Sequence, residues 1–514
     1  MYKPIRDYGI IGNLRSAALV AKDGSIDWKP APYLDSPSVF AAILDHKKGG
    51  RWKIAPIGDF SSEQEYMGQS NILITRFTGK EGVVELIDYI PAQLGGDMGA
   101  MERAEVHRKV VCTKGEAKVL VEFSPRFDYA RGKTTLSATE HGVSVAHKGE
   151  QKGELVSPGE YIVKDDTATT TISLKEGESA YLAFHYHASN ESERNGEHYE
   201  KELSATKSFW EEWVGRCDLD SCPVEYPYHE SVIRSSLVLK ILFFEPPGSI
   251  AAAPTTSLPE TIGGERNWDY RFSWIRDSAF TLQALFELGY TKEANQYVNW
   301  LLSECKTIED GPEKLQVIYG LRGEKNLKEE VLSHLEGYEG SRPVRIGNKA
   351  YKQKQWDVYG GLLDAVWQLH LHGSHVIDSE LWASLRSIAN YVVKIWGKPD
   401  NGLWEVRDGL QHFVHSKLMC WVALDRALKL AESHGLNGEI ELWEKEREKI
   451  RAVIFEKGWS EKKQSFVQSF GSQNLDASLL LMPTLGFIDG KDPKMRSTIA
   501  RIKEELGAGD GLLY

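Results

Sequence analysis

The chain has 514 residues, 74 acidic against 62 basic side chains for a formal net charge of -12, and 15 tryptophans in a composition that is 41% hydrophobic. That length exceeds one ordinary core and predicts several domains, or a small domain with a large barrel, while the acidic balance without a long basic run excludes a nucleic-acid binder. The N-terminal MYKPIRDYGIIG has no apolar signal core and no apolar stretch matches a membrane's thickness, so a cytoplasmic protein with no membrane partner is expected.

Residues 1–190 read as an antiparallel β-sandwich. The segments ALVAKDGSIDW, SNILITRFTG, GVVELIDYIP, AKVLVEFSPRFDY and ATTTISLKEGESAYLAFHYHA alternate short apolar runs with Gly, Asp and Pro. Asp23-Gly24 and Lys175 to Gly177 are the predicted turns. Residues 191–221 form a linker: Ser189 to Glu202 is charged and strand-poor, and TKSFWEEWVGRC is a helix with Phe209, Trp210 and Trp213 on one side.

From 222 to 514 the apolar spacing becomes helical, as in HESVIRSSLVLKILFF, RDSAFTLQALFELG, TKEANQYVNWLLSECK, VYGGLLDAVWQLHLHG and HSKLMCWVALDRALKLAESHG. Gly289, Gly373, Gly397, Gly435 and Gly458 are placed as left-handed helix caps. Paired helices with long loops predict an α/α toroid, whose loops gather into a cleft. Cys112, Cys217, Cys222, Cys305 and Cys420 are scattered and odd in number, which fits reduced thiols; no His/Cys spacing suits zinc, and no metal or cofactor is expected.

Two loops carry the chemistry. RNWDYRFSWIRDSAF, from Arg266 to Phe280, mixes aromatic rings with arginines and aspartates, and GLWEVR, from Gly402 to Arg407, sets a glutamate after a tryptophan. Indole faces stack on pyranose rings while fixed Asp and Arg groups bond sugar hydroxyls, so the pattern suits a polyhydroxylated ligand. Breaking a glycosidic bond takes two carboxyl groups, one of them protonated. Glu405 is the candidate acid: Trp404 supplies an apolar neighbour that raises its pKa, and Arg407 pulls the opposite way. The plainer alternative is an exposed loop glutamate beside a packing tryptophan. Asp277 is either part of a sugar site or the N-cap of the helix that follows, and His415 and Lys417 read as first-turn polar residues of an amphipathic helix.

These motifs resemble glycoside hydrolase family 15, the glucoamylases with their trehalase and glucodextranase relatives. The resemblance runs from IRDYGIIGNLRSAALVAKDGSIDW through AAAPTTSLPE, GGERNWDYRFSWIRD, RIGNKAYKQKQWDVYGG and NGLWEVR to HFVHSKLMCWVALDRA. It implies an N-terminal β-sandwich (1–190), a linker helix (191–221) and a C-terminal (α/α)6 catalytic barrel (222–514). The implied activity is an inverting exo-hydrolase without metal, releasing glucose from α-glucosidic bonds in trehalose or malto-oligosaccharides, with trehalose slightly preferred.

Carried over by motif, Glu405 matches the general acid with Trp404 beside it, and Arg276 and Asp277 match the pair gripping the non-reducing glucose. Asn267, Trp268 and Asp269 fall in the same substrate loop, and Trp356 borders the pocket. Gly361 departs from the polar or acidic residue of many relatives. The family's general base follows a segment resembling DGLLY, the last residues here. The expectation is therefore a barrel incomplete at its C-terminal end and an inactive chain, or else a non-catalytic glucan-binding protein that keeps the pocket without the base.

Overall fold

In the computed structural model, which describes residues 2–92, 104–186, 195–216, 228–306, 311–372, 377–407 and 409–513, one strand organises the N-terminal third. Val106–Ser124 is 19 residues long and serves two sheets. Its first half pairs with Gly82–Tyr89 and Ser179–His185, its second with Arg51–Pro56 and Thr167–Lys175, every pairing antiparallel. Thr167–Lys175 alternates buried and exposed along its length, the period-two signature of a half-buried strand. Between the sheets Trp52, Phe123 and Phe184 meet in edge and tilted contacts. The Arg108–Asp88 pair lies fully buried there, and the guanidinium also donates to the carbonyls of Trp52 and Gly24. Asp23-Gly24 turns as expected, with Gly24 at φ 79°, and Gly177 turns at φ 85°.

The long described helices are α1 (Gly196–Val214), α2 (His229–Leu242), α3 (Ile275–Glu287), α4 (Thr291–Lys306), α5 (Asp357–His372), α6 (Ser379–Ile395), α7 (Val414–His434), α8 (Ile440–Lys457) and α9 (Pro493–Glu505). The sequence starts the linker helix only after Glu202; α1 begins earlier because the Asn195 side chain accepts from the His198 amide and caps it. Phe209, Trp210 and Trp213 are all buried.

The chain divides into two compact units, Met1–Phe272 with Lys328–Asn348, and Ser273–Leu327 with Lys349–Tyr514. Residues 228–272, read from sequence as part of the helical domain, thus fold with the sheets. The reason is local to α2: Asn71 donates to the Leu237 carbonyl at 3.0 Å, and Arg234 donates to the Ser70 carbonyl and stacks over Tyr66. The 328–348 excursion joins the same unit because Leu332, Leu335 and Tyr338 complete a small core with Trp28, Leu44 and Tyr129.

Lys29 in this unit is fully buried with its ammonium on Ser16 Oγ (2.5 Å) and the Pro30 carbonyl (3.0 Å). Burial pushes its pKa down to about 7. The folded pKa lies below the unfolded one, so the fold loses stability as pH falls from above 10 toward 7 and stays flat below that. Lys29→Met is expected to remove this slope and to raise stability at pH 7 by roughly 2–4 kcal/mol. Urea melts at pH 7 and 10 check it; a variant less stable at pH 7 would contradict it.

In the second unit α5 and α7 are buried along nearly their whole length. A helix apolar all round belongs in the interior. α3 packs on α5 and α5 on α7, with α4, α6 and α8 behind this row. Gly360 marks the closest approach of α5 and α7, where an added Cβ would stand 2.2 Å from the Met419 carbonyl oxygen. Of the expected glycine caps, Gly289 and Gly435 are left-handed. Gly458 instead takes a right-handed conformation and its N–H continues the helical bonding to Ile454, Gly397 has no positive φ, and Gly373 lies outside the described residues.

Candidate active site

The acid loop is pinned at its ends. Asp400 and Gln411 exchange two main-chain hydrogen bonds of 2.9 Å, and inside that bridge Glu405 N donates to Gly402 O and Val406 N to Asn401 O. Gly402 sits at φ 69°, where a Cβ would strike the Phe413 ring at 2.5 Å, so the turn requires glycine. Glu405 itself holds φ 56°. A non-glycine residue there carries strain of about 1 kcal/mol or more, which the surrounding bonds sustain.

Arg276 reaches the loop from the other side. Strand Ser273–Trp274 pairs with Ile318–Tyr319, Ile275 N donates to Val317 O, and the chain turns directly into α3. Asp277 is the third residue of α3 and the cap position belongs to Trp274, so the N-cap alternative for Asp277 is excluded.

Arg276, Asp277 and Glu405 come together. Arg276 Nη2 lies 3.7 Å from Glu405 Oε1, Nε lies 3.5 Å from Asp277 Oδ1, and Nη1 lies 3.5 Å from the fully buried Asp357. Trp274 Nε1 donates to Glu405 Oε1 at 2.7 Å. Burial raises the Glu405 pKa above the ordinary carboxyl value, against the pull of Arg276 and the hydrogen bonds from Trp274 and Gln355. Burial opposes the Arg276 charge too, yet the carboxylates of Asp357, Asp277 and Glu405 outweigh it and raise its pKa. Asp277 is raised by burial and by Asp357 against the pull of Arg276.

The groups acting on Glu405 are not those its sequence neighbours suggest. Trp404 is half exposed and donates its indole N–H to Asp476 Oδ2 at 3.0 Å, so the aromatic partner of the acid is Trp274. The opposing cation is Arg276, while Arg407 is exposed. Glu405 retains 22% side-chain exposure, and the freely exposed loop glutamate is excluded.

Three further residues of this site carry no obvious signal in the sequence. Gln355 Oε1 accepts from Arg276 Nη1 at 2.6 Å, Gln353 reaches the Glu405 main chain, and Asp357 lies beneath Arg276. The QKQWD run immediately before an all-buried helix was the available clue. His415 is buried, with Nδ1 4.0 Å from Asp357 Oδ2, and burial holds its pKa below the ordinary value. Lys417 is also buried and donates to the Lys398 carbonyl at 2.5 Å. Both lie in the first turn of α7, as the sequence suggests, but on its buried side.

Trp356 is buried and its indole N–H donates to the carbonyls of Lys398 and Pro399. The carboxylate of Asp400, fully buried nearby, is pushed up to about 6 by burial despite accepting from Trp356 N. An added Cβ at Gly361 would stand 3.3 Å from Arg276 Cα, so a larger residue there presses on the site's arginine.

Asn267, Trp268 and Asp269 belong to the first unit. Both Asp269 oxygens accept from Arg271, at 2.8 Å each, and Oδ2 also accepts from Gly347 N. Asn267 donates to the Gly264 and Pro343 carbonyls, and Trp268 carries Arg345 over its ring.

Among the described residues no His, Cys, Asp and Glu group could hold a metal ion, and no helix is long and apolar enough to cross a membrane. Cys112 and Cys420 are free and buried; Cys217 and Cys222 lie outside the described residues.

A family model described as glycosyl hydrolases family 15 matches residues 226–512, and one described as trehalase-like, N-terminal matches residues 2–210. The chain is 36% identical to a trehalase of Thermoplasma volcanium, with 100% of this chain and 80% of that protein covered. It is 35% identical to a trehalase of Mycolicibacterium smegmatis, with 100% and 78% covered, and 33% identical to trehalase 2 of Sulfolobus acidocaldarius, with 98% and 84% covered.

Proposed function

The chain belongs to glycosyl hydrolase family 15 and is a glycoside hydrolase, and from that premise we propose that it releases glucose from α-glucosides by an inverting, exo-acting reaction with trehalose as the preferred substrate. The carrying observation is the raised carboxyl of Glu405 held between Trp274 and Arg276. A carboxyl kept protonated toward neutral pH can give its proton to the departing glycosidic oxygen. Arg276 and Asp277 bind hydroxyls of the same glucose, with Trp404 as an exposed stacking face. Trp356 braces the 398–400 segment of the same unit, while Asn267, Trp268 and Asp269 order their own loop within the first unit through the bonds described above.

The wider layout of the proposal is, in sequence order, a sandwich to about 190, a linker to about 221 and an (α/α)6 barrel that extends the α3–α5–α7 row. Cytoplasmic location remains part of it. The second carboxylate of an inverting pair is left unassigned: Asp476 is committed to Trp404 and the Ser478 amide. The expected inactivity and the expected incompleteness of the barrel find no support in the comparisons, and the non-catalytic glucan-binding reading is not favoured beside relatives named trehalase.

Proton NMR of trehalose during hydrolysis tests the proposal. Inversion at one anomeric carbon releases one β- and one α-glucose per turnover, whereas retention releases two α-glucoses. Equal anomers in the first minutes are expected, and α-glucose alone would overturn inversion. The rate must fall as pH rises through the Glu405 pKa, because the acid is then ionised. Its alkaline limb therefore lies above that of an ordinary glutamate. Faster release from maltotriose than from trehalose would overturn the substrate preference.

A further inference from the structure

The segment 353–355 is stitched to the acid loop. Lys354 N donates to Asn401 Oδ1 at 3.2 Å and Asn401 N donates back to the Lys354 carbonyl at 3.0 Å. This register places two glutamine side chains in series. Arg276 Nη1 donates to Gln355 Oε1 (2.6 Å), Gln355 Nε2 donates to Gln353 Oε1 (2.9 Å), and Gln353 Nε2 donates to the Glu405 carbonyl oxygen (3.2 Å).

The direction of this chain is forced. A guanidinium has donors only, so the Gln355 oxygen must face Arg276 and its NH2 must face the other way. That NH2 in turn fixes the Gln353 amide, leaving a donor aimed at the carbonyl of Glu405, which sits at φ 56°. Gln355 is 2% exposed, so water does not compete for its partners.

We propose that Gln355 and Gln353 are positioning residues for the hydrolysis, a directed hydrogen-bond chain that fixes the Glu405 main chain relative to the sugar-gripping Arg276. The inference rests on the reading of Glu405 as the general acid. Sugar binding at Arg276 is thereby coupled to the place from which the proton is delivered. The Gln355 amide also hydrogen-bonds the Glu405 carboxylate and restrains its pKa.

The test compares Gln355→Met, Gln353→Met and the double variant of the full chain, with trehalose as the probe. Each single variant is expected to lower kcat by about tenfold or more with KM changed much less, as for a misplaced group that touches no substrate. Links of one chain are not independent, so the double variant loses no more than the worse single one. Losses that multiply would overturn the proposal. Gln355→Met must also move the alkaline limb of kcat upward, which a general loss of folded protein would not do; an unmoved limb would overturn it.

Carbon-13 titration of the Glu405 carboxyl, its resonance identified by its absence in Glu405→Gln, reads the same shift without turnover. A wild-type chain that cleaves no trehalose sinks the functional reading. The clamp then stands or falls on whether Gln355→Met raises that titration midpoint.

Discussion

Glu405→Gln is expected to lower kcat on trehalose by about a thousandfold, because general-acid catalysis by a positioned side chain contributes on the order of 10²–10⁴ and the amide cannot release a proton. Glutamine keeps the shape and can still accept from Trp274 Nε1, so the loop and the binding of trehalose persist. Calorimetric titration with trehalose should give a Kd within a few-fold of wild type, while single-turnover rates collapse. A variant that retains a tenth of the wild-type rate would remove Glu405 from the mechanism. Melting curves of the two proteins should overlay, which separates lost chemistry from lost fold.

The second large effect concerns stability. Asp269→Leu should destabilise the first unit by about 3–5 kcal/mol, the usual result of stripping one partner from a buried ion pair. Arg271 is 1% exposed, both of its bonds to Asp269 are 2.8 Å, and its remaining Nη1 donates to the Ser36 carbonyl at 2.7 Å. Without the carboxylate a desolvated guanidinium keeps the Ser36 carbonyl and the Trp28 and Tyr129 rings but loses the counter-charge at position 269. Pairing the change with Arg271→Met should recover much of the loss, since an apolar pair tolerates the same space. Denaturant unfolding followed by tryptophan fluorescence checks both variants. If Asp269→Leu left the midpoint unchanged and abolished trehalose binding, the residue would be a sugar ligand and the structural role would fail.

The sequence exposed the chemistry where residue types were dense and local. Arg276, Asp277 and Glu405 stand out because arginine, aspartate and tryptophan crowd two short loops, and the structure brings the three side chains together. The alternation of apolar residues likewise betrayed the strands of the sandwich. What stayed hidden depends on register between distant segments. Gln353 and Gln355 look like ordinary loop glutamines until Lys354 is paired with Asn401, 47 positions away. Trp404 adjoins Glu405 in the chain, yet a left-handed residue sends its side chain away from its neighbour's, and Trp274 takes the contact instead. Excursion 328–348 was invisible for the same reason: no periodicity announces that Leu332 will pack on Trp28.

The conformation of Glu405 sets two selective pressures against each other at a single codon. Glycine is the residue best suited to φ 56°, and it would relieve the loop of its strain while deleting the carboxyl. A library of this protein screened only for heat resistance would therefore tend to enrich glycine at 405 and discard the chemistry, whereas one screened for sugar release would keep glutamate and accept a softer loop. Stabilising this scaffold calls for changes elsewhere, and Lys29, buried in the other unit, is a site where robustness can rise without touching the proton donor.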